Sequence, residues 1–275
     1  MRRREFIKLI AGSTVAWPFS ARAQQQGDRA RVLQTRMFLK AEVVADMISN
    51  FIRVIEAQVG RITQRPWLAD KQAGILADRR FDAIYLLRQT PAIIGLSQLD
   101  PTGHEQLRVS RLAMDVVGSQ IDYSQDPKFT EAVAHKVYYG PVYFPRPVGP
   151  HNPGEPYMTL SVAGRRDDAG VSVAEVGLKL IQDTVAGIKV GERGVVYVLD
   201  AQGQVIAHPD ISLITADFSR LAQVQAARGA GSAAPPQSLQ AVKDINGREV
   251  LADYYASITP LGWLVFVELP VEEAQ

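Results

Sequence analysis

Val195-Val196-Tyr197-Val198-Leu199-Asp200-Ala201-Gln202-Gly203-Gln204-Val205-Ile206-Ala207 is an apolar run that ends in Leu-Asp, passes two turn residues and a glycine, and resumes as a second apolar run. A carboxylate that bonds the backbone ahead of it, followed by a residue free to take positive φ, closes a β-hairpin. Nearly the same pattern stands earlier, at Ile94-Gly95-Leu96-Ser97-Gln98-Leu99-Asp100-Pro101-Thr102-Gly103, followed by His104-Glu105-Gln106-Leu107-Arg108-Val109. A looser third copy is Lys243-Asp244-Ile245-Asn246-Gly247 before Arg248-Glu249-Val250-Leu251. Each of the first two copies sits in its own strand-rich stretch. The sequence therefore implies two related α+β modules in tandem.

A chain of 275 residues, 47% of them hydrophobic, has the length and apolar content for two modest domains. Cysteine is absent, which removes disulfides, a thiolate nucleophile and cysteine metal ligands. The formal net charge of +1 is distorted by residues 1–23, which hold Arg2, Arg3, Arg4, Lys8 and Arg22 against Glu5 alone. Without them 25 basic residues face 28 acidic ones, so a basic surface for nucleic acid is not expected.

Arg3-Arg4-Glu5-Phe6-Ile7-Lys8 resembles the twin-arginine export consensus. A short apolar stretch from Leu9 to Phe19 follows, then Ala21-Arg22-Ala23, a small-x-small cleavage site. Charged region, short apolar region and cleavage site in that order form an export leader, predicted over 1–23. The apolar run is shorter than the roughly 20 residues of a spanning helix. The expectation is a periplasmic chain cut near Ala23, or a membrane-anchored one if the leader is retained.

From residue 28 to 65, Leu33, Met37, Val44, Met47, Ile48, Phe51, Ile55, Val59 and Ile62 recur at steps of three and four along one face of a long helix. Such a helix serves as a spine, a coiled-coil partner or a dimer interface. A second helix is expected over 69–90, closed by Pro91, and strands dominate from Ala92 to Val176. Asp122-Tyr123-Ser124-Gln125-Asp126-Pro127 caps a short helix from Lys128 to His135. The proline-rich stretch 145–156 and the small-residue stretch 229–238 read as loops. Short helices are expected from Leu178 to Ile188 and over 217–227, and Val271–Gln275 reads as the start of a terminal helix.

The long helix, the two small sheets, the Leu-Asp-x-x-Gly hairpins and the terminal Leu261-Gly262-Trp263-Leu264-Val265-Phe266-Val267-Glu268 strand together resemble a double Cache sensor domain. The likeness runs over residues 30–270 and is strongest at Gly191–Pro209 and Val250–Pro270. It implies an α+β fold of two PAS-like modules with antiparallel sheets, a membrane-distal one over 66–190 and a membrane-proximal one over 191–270. It further implies extracytoplasmic sensing of a small-molecule metabolite, with the signal passed to a membrane receptor, kinase or cyclase, and no catalysis. The chain is then either a free binding protein that docks on a receptor or a receptor cut short after Gln275. One departure is informative. The amino-acid-binding branch grips the ligand carboxylate with an Arg-x-Trp-Tyr-like stretch, and the comparable Gln125-Asp126-Pro127-Lys128-Phe129 lacks both the Arg and the Trp. Near the family's ammonium-binding Asp stands Glu175. A different ligand, or a lost site, follows.

A pocket for a small polar molecule needs aromatic walls and a few convergent polar groups. The ligand-binding candidates are Arg111, Tyr123, Phe129, Tyr139, Tyr157 and Glu175; the bland reading has the tyrosines packing on the sheet and Arg111 paired with Asp115. His104, His135, His151 and His208 lack zinc spacing, and neither a Gly-x-Ser-x-Gly elbow nor a phosphate loop occurs. No cofactor, metal or enzymatic activity is expected. Two other readings remain. The leader is like those of importer solute-binding proteins, which would require two parallel βαβ lobes. Alternatively, residues 30–65 make a homodimeric coiled coil with a structural role.

Overall fold

The computed structural model describes residues 17–67, 72–144, 154–230 and 239–274. Most of the predicted leader, the tip of the proline-rich loop and the small-residue loop lie outside the described residues. Helix α1 (Trp17–Thr63) is 47 residues long, about 70 Å at 1.5 Å per residue. It ends where Pro66 disfavours helical backbone at Arg65, and the Thr63 hydroxyl bonds the Val59 carbonyl at 2.8 Å. Helix α2 (Gln72–Gln89) follows.

The first sheet contains β1 (Ile93–Leu99), β2 (Glu105–Ser110), β3 (Val116–Val117), β4 (Val137–Tyr143), β5 (Tyr157–Ala163) and β6 (Val171–Gly177), in the order β3-β2-β1-β6-β5-β4. Helix α3 (Pro127–His135) joins β3 to β4, and α4 (Lys179–Gly187) leads to the second sheet. That sheet contains β7 (Val195–Leu199), β8 (Val205–Ala207), β9 (Gln240–Lys243), β10 (Glu249–Ile258) and β11 (Trp263–Pro270), ordered β8-β7-β11-β10-β9, with α5 (Ala222–Ala230) between β8 and β9. Every ladder between these strands is antiparallel. The doubly wound parallel lobes of a transport receptor are not what forms.

All three Asp-x-x-Gly turns fold alike. Oδ1 of Asp100 accepts from the Thr102 and His104 amides, Oδ1 of Asp200 from Gln202, Gly203 and Gln204, and Oδ1 of Asp244 from Asn246 and Arg248. The glycines take φ of 92°, 93° and 79° at 103, 203 and 247, a conformation that costs glycine nothing. Helix α5 starts at Ala222 and not near 217. The Asp217 side chain accepts from the Ser219 amide, so a turn occupies the stretch where the pattern predicts helix. The terminal helix expected after Val271 is a single 3₁₀ turn, Val271–Glu273.

One core runs the length of the molecule. Met37, Ala41, Val44, Ile48, Ile55 and Val59 of α1 pack against Leu96, Leu107, Met158, Leu160 and Val176 of the first sheet and Val196, Val198, Val265 and Val267 of the second. Both sheets thus turn one face to the helix. The opposite faces, covered in part by α3 and α5, are where the modules differ.

Candidate functional site

On the first sheet the outer face is built by residues whose neighbours in sequence point to α1. A transverse row crosses it: Gly95 of β1 pairs with Glu175 of β6, which pairs with Thr159 of β5. A Cβ on Gly95 would come within 3.0 Å of Glu175 Oε2, and one on Gly140 of β4 would lie 3.1 Å from Thr159 Cβ. The two glycines leave a trough with Glu175 at its centre. Glu175 is exposed, and among the described residues no hydrogen bond or ion pair is made to it.

Tyrosines wall one side of the trough. Tyr143 and Tyr157 pair across β4 and β5 with ring centroids 6.1 Å apart. Burial, then the charge of Glu175, then Tyr157, push the Tyr143 hydroxyl up to about 12, so it is a neutral donor at any physiological pH. On the other side Arg108 of β2 places Nε and Nη2 at 3.0 and 2.9 Å from Glu105 Oε2, and Nη2 donates to the Tyr123 hydroxyl at 3.2 Å. Burial opposes the charge on Arg108, but the hydrogen bond to Glu105 and the nearby acids outweigh it and raise its pKa. The Glu105 side chain is only 1% exposed, so this ion pair is held by the fold. Helix α3 covers the rest of the face. Asp126 caps it by accepting from the Lys128 amide, and Pro127 occupies the first turn. Its Phe129 packs with Tyr123 and Tyr138 over Leu99, Val171 and Val173, and the Lys128 ammonium sits 3.5 Å from the Tyr123 ring centroid.

Of the residues singled out in the sequence, the structure brings Tyr123, Phe129, Tyr157 and Glu175 to this one face. Tyr139 and Arg111 stand apart. Tyr139 faces α1 and donates to Glu56 Oε2 at 2.6 Å. Arg111 donates to the Ile93 and Thr90 carbonyls at 2.8 and 3.4 Å, pinning the turn after β2 to the end of α2, while Asp115 pairs with Arg80. Sequence reasoning missed Arg108, Tyr138, Tyr143 and Thr159. The Gly140-Pro141 dipeptide was the available signal: the register slips between Tyr139 and Val142, which moves Tyr143 onto the face of Tyr138.

The corresponding face of the second sheet is filled. Tyr197 and Phe266 stack at 5.2 Å, and Phe218 closes edge-on at 5.4 Å. The Tyr197 hydroxyl donates to Glu268 Oε1 at 2.6 Å, and Gln223 Nε2 donates to the same oxygen at 2.9 Å. His208 is 7% exposed, and burial lowers its pKa, leaving a neutral ring beside Tyr197 and Phe218. Elsewhere, a cavity of about 500 Å³ opens between α1 and α2. One of its two arginines, Arg65, is already bound to Asp78 and Asp82.

The family model for the Cache domain, in its double form, matches residues 20–275. No curated protein sequence matches the chain. Among solved structures, the extracellular domain of the putative histidine kinase mmHK1S-Z2 superposes with a TM-score of 0.68 at 13% identity, over 88% of this chain and 99% of that one. The ligand-binding domain of the Pseudomonas fluorescens chemoreceptor CtaA, in complex with L-isoleucine, gives 0.59 at 16% identity over 94% and 98%. That of the Pseudomonas aeruginosa PAO1 amino-acid chemoreceptor PctC, in complex with GABA, gives 0.56 at 14% over 86% and 99%.

Proposed function

Since the chain belongs to the Cache domain family, we propose that it senses a small molecule on the outer face of its first sheet and reports through α1. The observation that carries the reading is the contrast between modules. Among the described residues, the first sheet's outer face leaves the Glu175 carboxylate exposed and without a hydrogen bond or ion pair, whereas the second sheet's is closed by its own aromatic rings. The first sheet is then the ligand-receiving, membrane-distal module and the second a relay. Proteins of the same fold are named as chemoreceptors and a histidine kinase, which supports a membrane receptor or kinase as the partner. The reading makes the chain an exported, periplasmic binding module and not an enzyme.

A panel of amino acids, carboxylic acids, amines and purines in a thermal-shift assay tests this. A ligand at 100 times its dissociation constant stabilises by about 2.7 kcal/mol, and Thr159→Tyr, which fills the trough, should abolish the shift. A panel with no active member, or a ligand indifferent to that substitution, would remove the site from the first sheet.

Dimerisation belongs to the same proposal. Val32, Leu39, Val43 and Val54 of α1 are 60, 49, 66 and 45% exposed, and at about 100° per residue they fall within an arc of about 60°. Met37, Ala41, Ile48 and Ile55 bury the opposite side. A helix apolar on two opposite faces has two partners, and the second here is α1 of another copy. Asn50 lies mid-stripe, where a like amide in a second copy satisfies it. Sedimentation velocity should give twice the monomer mass, and Val43→Asp the monomer; a wild-type chain that stays monomeric at high concentration would refute this.

A further inference from the structure

Away from the trough, the cavity of about 500 Å³ between the end of α1 and the C-terminal half of α2 has the size of a small-molecule pocket. Its charges leave one cation over. Arg65 places Nε 3.2 Å from Asp82 and Nη1 3.2 Å from Asp78, so the one acid of the lining is already neutralised. Arg61, the other arginine of the lining, is exposed, and among the described residues no hydrogen bond or ion pair is made to it.

Neutral donors and an apolar wall complete the cavity. The Thr90 hydroxyl donates to Gln58 Oε1, which leaves Gln58 Nε2, a donor, without a partner among the described residues. The Tyr85 hydroxyl is likewise unpaired among them. Ile62 of α1 and Leu86 of α2 line the same space, half-buried and buried respectively.

This combination selects one ligand class. A guanidinium presents parallel N–H donors that match the two oxygens of a carboxylate. Two arginines against one acid balance a single negative charge. A dianion would find only one free cation and would lie beside the Asp82 carboxylate. An ammonium would meet an acid already held by Arg65 and a free guanidinium of its own sign.

We propose that this cavity binds a small monocarboxylic acid with an apolar body, its carboxylate on Arg61 and Gln58 Nε2 and its chain along Ile62, Leu86 and the Tyr85 ring. The site is separate from the trough, and it acts on the reporting helix itself. Because the buried face of α1 packs against both sheets, an acid lodged between α1 and α2 bears on α1 directly.

Isothermal titration of the full chain with hexanoate, hexanamide and hexylamine separates head group from body, since the three share a carbon chain and differ in charge. The expected result is one hexanoate per chain, at least tenfold weaker binding of hexanamide, and none of hexylamine. Arg61→Gln, at an exposed position whose loss leaves the fold intact by circular dichroism, should weaken hexanoate at least tenfold. Thr159→Tyr, which fills the trough, should leave hexanoate binding as it was. Hexanamide or hexylamine binding as tightly as hexanoate would overturn the carboxylate assignment, and hexanoate binding unchanged in Arg61→Gln would overturn the site. Hexanoate binding lost in Thr159→Tyr would place the acid in the trough, refuting this cavity while supporting the sensor reading of the first sheet. A wild-type chain that binds no hexanoate refutes the cavity alone, because the sensor reading stands or falls with the thermal-shift panel.

Discussion

Replacing Arg79 with alanine is expected to lower stability by about 3–5 kcal/mol. For a chain of this size that moves the melting temperature by roughly 10 °C. The side chain is 1% exposed. Its Nη1 donates to Gln98 Oε1 at 2.9 Å, its Nη2 to the Arg65 carbonyl and, at 3.5 Å, to that of Ala169, and its guanidinium lies 4.0 Å from the Trp67 ring centroid. One fork thereby ties the end of α1, β1 and the β5–β6 turn together. Burial, then repulsion from Arg65, lower its pKa to about 10, so it stays charged at neutral pH. Removing it leaves a cavity and buried acceptors without donors, which is the costly case. Arg79→Met, which fills the space but donates nothing, should recover part of the loss. Arg79→Lys should recover little, because a point charge cannot reach partners in several directions at once. Urea denaturation decides the matter: a loss near that of an exposed arginine, about 0.5 kcal/mol or less, would show that the fork contributes no more than a solvated side chain does.

How far the sequence reveals this molecule depends on the range of the interaction involved. The hairpins were legible because an Asp carboxylate, two or three amides and a glycine settle the turn within five residues, whatever lies around them. Even the looser copy at Asp244 folds like the other two. The long helix was legible through its core stripe, and α3 through the Asp126-Pro127 cap. The face of each strand was less so. Strict alternation along β4 groups Val137, Tyr139 and Tyr143, but the slip at Gly140-Pro141 leaves Tyr139 on the α1 side and turns Tyr143 outward. A bulge shifts every later side chain, so one residue decides the membership of the site. Arginine roles were illegible for another reason. Arg108 and Arg111 lie three apart, and only the fold reveals that one meets the buried Glu105 while the other meets backbone carbonyls. Arg79 drew no attention in the sequence because its partners come from three distant segments.

Stability should peak on the acid side of neutrality, near pH 5, and fall by about 2 kcal/mol by pH 8. The cause is a pair of buried carboxylates in the second module. Asp253 is 1% exposed, and its Oδ2 has no hydrogen-bond partner among the described residues. Burial raises its pKa to about 6, only partly offset by the Tyr254 amide on Oδ1. Glu268 is raised as well, by burial above all, against the hydrogen bonds from Tyr197 and Gln223. A carboxyl whose folded pKa exceeds its unfolded value binds its proton more tightly when native. Its cost is therefore absent below the unfolded pKa, grows as pH rises toward and through the folded one, and is constant above it. Other acids have the opposite sign. Asp100, despite burial, is lowered by hydrogen bonds from Thr102, His104 and Gln106, and Glu273 is lowered by the Glu192 amide and Arg193. Their contribution is present above the ordinary carboxylate range and is lost as pH falls through their folded values, which sets the acid limb. The rise of cost toward pH 8 is the testable half. Asp253→Asn keeps the oxygen that accepts from Tyr254 and removes the ionisation. It should raise the urea midpoint at pH 8, worth about 1–2 kcal/mol after the unpaired amide is counted, and give no gain near pH 5. A wild-type midpoint that is flat or rising between these two conditions, or an asparagine variant with the same gain at both, would show that Asp253 is not ionised at a cost inside the folded protein.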